Sequence, residues 1–102
     1  MVPEITTRKA ELIELCRLHH VRRLDVFGSA AGCGFDAERS DFDFLVEFET
    51  LPPGGYATNF FDLKEAFEEL LGRPVDLVVA SAVRNPWFRE GIEQSKALLY
   101  AA

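Results

Sequence analysis

The run Asp41-Phe42-Asp43-Phe44-Leu45-Val46-Glu47-Phe48 constrains the fold more than any other stretch of this chain. Side chains on a strand alternate between its two faces. Phe42, Phe44, Val46 and Phe48 therefore share one face, and Asp41, Asp43, Leu45 and Glu47 share the other. A strand with one wholly apolar face has to lie in a sheet that another layer covers. Its second face opens with two carboxylates two positions apart. Carboxylates this close resist joint ionisation unless positive charge compensates them.

The remaining sequence supplies the covering layers. Residues 4–19 read as a helix: Ile5, Leu12, Leu15, Cys16 and His19 recur near helical spacing, and Pro3 suits a helix start. Residues 24–27 read as a short strand stopped by Gly28-Ser29, and residues 30–40 as a short helix or loop. Leu51-Pro52-Pro53-Gly54-Gly55 is a breaker. A helix is expected over residues 59–71, with the stripe Phe60, Leu63, Phe67, Leu70 and Leu71 and a stop at Gly72. Residues 75–79 form a third strand that carries Asp76, and Asn85-Pro86 opens a last helix through residue 93. The tail at 97–100 either prolongs that helix or adds an edge strand. A chain of 102 residues makes one domain, 1–102. The expected architecture is a small α/β (α+β) domain with a three-stranded mixed sheet flanked by helices.

Composition narrows the function classes. The net charge of −6 disfavours nucleic acid as a direct partner. No apolar run approaches the roughly 20 residues that a membrane helix needs. The start, MVPEITTRKAEL, has no apolar signal core, so the expected location is the cytoplasm. Cys16 and Cys33 fit no metal spacing and are expected as reduced thiols.

The acids carry the chemistry. Asp41 and Asp43 project from one face, and a hard divalent cation such as Mg²⁺ would compensate them. Asp76 sits inside the apolar run PVDLVV, where a charge needs a reason. If its strand neighbours the Asp41–Asp43 strand, three carboxylates converge, enough for two metal ions. Gly28-Ser29 follows a strand and opens a turn whose free amides suit phosphate, and the Ser29 hydroxyl adds a donor. The turn is no P-loop, because no Gly-Lys-Ser/Thr follows. Each piece has a plainer reading, as a solvated strand end, a simple turn or a paired carboxylate. Their order along the chain makes the constellation specific.

Those residues resemble a known family. FGS at 27–29, SDFDFLVEF at 40–48, GRPVDLVV at 72–79 and NPWFREGIEQSKALLY at 85–100 are similar to the minimal nucleotidyltransferases of the DNA polymerase β-like superfamily, over nearly the whole chain. The resemblance implies that Gly28 and Ser29 hold the triphosphate. It implies that Asp41, Asp43 and Asp76 are the catalytic, metal-binding acids, with two Mg²⁺ ions and ATP as substrate. Many such proteins are antitoxins paired with a HEPN-family toxin ribonuclease in the MntA–HepT type of module. The implied activity is AMP transfer from ATP onto a tyrosine of the toxin, within a hetero-oligomeric complex. The alternative is a non-catalytic antitoxin that neutralises its toxin by occlusion. A small-molecule nucleotidyltransferase of the aminoglycoside-modifying kind carries a further acceptor domain, for which 102 residues leave no room. The chain departs from the family pattern in one respect: eleven residues, 30–40, separate Ser29 from Asp41, one more than usual.

Other residues receive structural readings. His19 and His20 close a helix, Asp25 is an edge or exposed carboxylate, and Glu47 and Arg73 are surface residues. Cys33 is a small filler. Trp87, Phe88, Phe60 and Phe61 are core, with Phe61 off the main stripe and available to a partner.

Overall fold

The acid-bearing strand forms as the alternation requires. In the computed structural model, which describes residues 1–31, 41–51 and 53–102, β2 spans Phe42–Phe48. Phe42, Phe44 and Val46 are fully buried. The strand is central. β1 (Val21–Phe27) pairs with it antiparallel, and β3 (Val75–Val79) pairs with it in parallel. Among the described residues the sheet has four strands, not three, in the order β3-β2-β1-β4. The fourth is the tail, β4 (Ala97–Ala101), antiparallel to β1. Lys96 turns extended, with φ −67° and ψ 145°, and so ends the preceding helix and releases the tail to the sheet edge.

Among the described residues three helices cover the apolar face. The expected first helix is two pieces, α1 (Pro3–Thr7) and α2 (Lys9–Leu18). The join is a tight turn at Arg8, whose N–H reaches back three residues to the Ile5 carbonyl. The β-branched Thr6 and Thr7 favour a break there. α3 (Tyr56–Leu71) starts three residues earlier than its stripe announced. It stops at Gly72, which takes the left-handed conformation (φ 69°) that a glycine cap supplies. Leu12 and Cys16 of α2 meet Leu63 and Phe67 of α3 over Leu24, Val26, Phe42, Phe44, Val46 and Leu77. Phe44 and Phe67 stack with centroids 5.2 Å apart. Burial pushes the Cys16 thiol up to about 12, so it stays a neutral thiol at physiological pH. Cys33 lies outside the described residues.

The opposite face carries a smaller layer. α4 (Pro86–Ser95) begins at Asn85, whose side-chain oxygen accepts the Trp87 and Phe88 amides. Ile92 of α4 and Val83 pack on Phe27 and Leu45. Two expectations fail on this side. Trp87 is 80% exposed and Phe88 half-exposed, not core. Asp25 is not an exposed carboxylate: it is 2% exposed and gripped by Arg23, with Nε to Oδ2 at 3.0 Å and Nη2 to Oδ1 at 3.2 Å. A two-point ion pair satisfies a carboxylate that the layer would otherwise not tolerate. Phe61 of α3 is exposed, in line with its place off the main stripe.

Candidate active site

The site is a row across three strands. Asp43, second residue of β2, lies opposite Phe27 of β1 and in register with Asp76 of β3. Directly paired residues share a face of the sheet, so the parallel β2–β3 pairing places Asp43 and Asp76 side by side. The conditional expectation that the Asp76 strand neighbours the Asp41–Asp43 strand is thereby met. Asp41 immediately precedes β2, two residues from Asp43 on the same side.

These carboxylates act on one another. Burial pushes the Asp43 carboxyl above its ordinary value of 3.8, and the charges of Asp76 and Asp41 push it further. Asp43 is half-buried, while Asp41 and Asp76 are exposed. Among the described residues no three metal-ligating side chains form a ready-made cage. Mutual repulsion between like charges opposes closer approach of these carboxylates. The donors are all carboxylate oxygens, which suits Mg²⁺ and would suit neither a thiolate- nor an imidazole-seeking metal.

Gly28 fits against the row. It follows β1, has φ +69° and opens a 3₁₀ turn over Gly28–Ala31. A Cβ at this position would lie 2.6 Å from Asp43 Oδ2. The backbone conformation favours glycine, and a Cβ here would push the Asp43 carboxylate aside. The turn starts beside the Asp43 carboxylate. Ser29 belongs to this turn, and the position of its hydroxyl lies outside what is described. The longer 30–40 connection falls mainly on residues outside the described set.

α4 closes one side of the site. Phe88 sets its ring edge-on to Phe27, centroids 6.2 Å apart. Ile92 packs one turn on, and the Ser95 hydroxyl accepts the Gly28 N–H at 3.4 Å. Phe88, Ile92 and Ser95 stand at i, i+4 and i+7, one stripe of the helix. Ser95 was not singled out by the sequence; its helical spacing from Phe88 is the signal that could have placed it on this face. Glu47 is at the surface as expected, 3.7 Å from Arg22. The His19 ring is bonded to the Leu15 carbonyl at 2.8 Å, a structural role.

Comparison with known proteins agrees with this geometry. The nucleotidyltransferase domain model matches residues 11–100. The chain is 41% identical over 81 residues to the protein adenylyltransferase MntA of Thermococcus cleftensis, covering 79% of this chain and 75% of that one. A solved structure assigned to the minimal nucleotidyltransferases superposes with TM-score 0.74 at 35% identity, over 91% of this chain and 90% of that one. The antitoxin complexed with the tri-AMPylated Shewanella oneidensis HEPN toxin shares the fold, with TM-score 0.66 at 18% identity over 95% and 72% of the two chains. The domain model matched over residues 11–100, with the 41% identity to that adenylyltransferase, places the chain in the nucleotidyltransferase-domain family.

Proposed function

We propose that this protein is a Mg²⁺-dependent protein adenylyltransferase that acts as an antitoxin, moving AMP from ATP onto a tyrosine of a HEPN-type toxin. The observation that carries the reading is the in-register pair Asp43–Asp76 beside Gly28, a costly arrangement in a chain 41% identical to a protein adenylyltransferase. That relative and the AMPylated toxin complex supply the protein acceptor and the toxin partner.

The transfer balances simply. The tyrosine oxygen bonds to the α-phosphorus of ATP, the α–β bridging bond breaks, and pyrophosphate leaves with its electron pair. Mg²⁺, held by Asp41, Asp43 and Asp76, would neutralise the phosphate charge and bring attacking and leaving oxygens into line. The chain's residues do the rest. The Gly28 amide, with Ser29 beside it, holds the triphosphate end. Asp76, solvent-facing on its strand, receives the tyrosine proton. Asp43, whose ionised form burial and the charges of Asp76 and Asp41 disfavour, gains from a cation. Positioning and charge compensation are the main demands of phosphoryl chemistry.

Mass spectrometry tests the reading. A cognate HEPN-type toxin incubated with this protein, ATP and Mg²⁺ gains whole AMP units on tyrosine. Asp43→Asn lowers that transfer on the order of a thousandfold, since metal-borne charge stabilisation amounts to several kcal/mol. A toxin bound tightly and neutralised without any gain in mass would replace the transfer by occlusion.

A further inference from the structure

We propose that Ser95 is a substrate-binding residue: its hydroxyl donates a hydrogen bond to a phosphate oxygen of the nucleoside triphosphate, alongside the Gly28 amide. The inference rests on the reading of Gly28 as a phosphate-binding turn.

The argument begins with what holds Gly28. Its Cα side is against the Asp43 carboxylate, so the residue sits at the edge of the acid row. Its N–H points to Ser95 Oγ at 3.4 Å. Good amide-to-oxygen hydrogen bonds cluster near 2.9–3.0 Å, so about 0.4 Å of slack remains. A contact of that length gives way to a charged acceptor, because bonds to ionised oxygens are shorter and roughly twice as strong. A phosphate oxygen that takes the Gly28 amide therefore arrives beside the Ser95 hydroxyl.

Ser95 is free to respond. Its hydroxyl proton goes to the Gly91 carbonyl, at 3.1 Å within the same helix. A carbonyl one turn back is the default acceptor for a helical serine, and surrendering it costs little. Rotation about one bond turns the proton outward. The side chain is solvent-exposed, so neither bulk nor packing opposes the change. The Phe88–Phe27 contact and the Ile92 anchor fix α4 against the end of β1, which holds this hydroxyl in place. A serine and an amide together give the phosphate two neutral donors.

The test is calorimetric titration of the full chain with AMP-PNP and Mg²⁺. Ser95→Ala weakens binding about tenfold, as for one hydrogen bond to a charged group, with Tm unchanged because the site is exposed. Ser95→Thr, which keeps the hydroxyl, restores the affinity to within about threefold of wild type. Equal or tighter binding by Ser95→Ala, with wild type binding normally, overturns the role of Ser95 and leaves the Gly28 site standing. A wild-type chain that binds no AMP-PNP overturns the nucleotide site itself and this inference with it.

Discussion

The two faces of one sheet are built to opposite rules. On the α2/α3 face every inward residue of β2 is apolar, Phe42, Phe44 and Val46 are fully buried, and the layer closes with Leu12, Cys16, Leu63 and Phe67. On the α4 face the same strand offers Asp43 and Leu45, the apolar cluster is small, and a carboxylate, Asp25, is buried within it. The first face minimises free energy. The second keeps like charges together and leaves Asp41 and Asp76 open to solvent. Alternation along β2 makes this possible, because one strand anchors the core with its even residues and presents acids with its odd ones. The rigidity of the first face holds the second in register.

Substitutions separate the faces. Phe67→Ala, in the closed layer, is expected to cost about 3–5 kcal/mol by urea unfolding, from lost burial and the cavity left under Phe44. AMP transfer per folded molecule should stay at the wild-type level. A loss of transfer in the folded fraction would mean that the layers are not separable. The second substitution sharpens the other side. Arg23→Met strips Asp25 of its two-point partner and is expected to cost about 2–3 kcal/mol, discounted because Arg23 is itself 40% exposed. The double variant Arg23→Met/Asp25→Leu should recover most of that loss. Failure to recover would show that the pair has further partners in the α4 layer.

Legibility in the sequence follows the same division. β2 and β3 have the expected bounds because clean alternation, or a short apolar run, is fenced by Gly, Pro and charged residues. β1 was read three residues short. Arg22 and Arg23 interrupt the apolar pattern, and a bulge between Val21 and Arg23 breaks the alternation that would have revealed it. The tail could not be assigned because AlaLeuLeuTyr suits either state until Lys96 turns extended. Trp87 was misplaced because hydrophobicity alone does not say which way a residue at the first turn of a helix points. The acid row was legible in its parts. Its assembly depended on β3 lying beside β2, which is a property of topology. Ser95 was hidden for the same reason: the Gly28–Ser95 contact joins residues 67 positions apart.

The central claim is that Asp43 is kept for a cation and against stability. Its folded-state carboxyl is raised, so the folded protein binds that proton more tightly than the unfolded chain does. Stability is therefore lost as pH rises from the ordinary value of 3.8 through the raised value, and stays lost above it. The decisive measurement is thermal unfolding of wild type and Asp43→Asn between pH 3 and 8, with and without Mg²⁺. The account predicts that, without Mg²⁺ at pH 7, Asp43→Asn melts a few degrees above wild type, and that the gap closes below about pH 4. Mg²⁺ at about ten times its Kd should then raise wild type by about 1.4 kcal/mol and leave the variant nearly unchanged. A variant that melts below wild type without metal, or that Mg²⁺ stabilises equally, would contradict it and make Asp43 a structural residue.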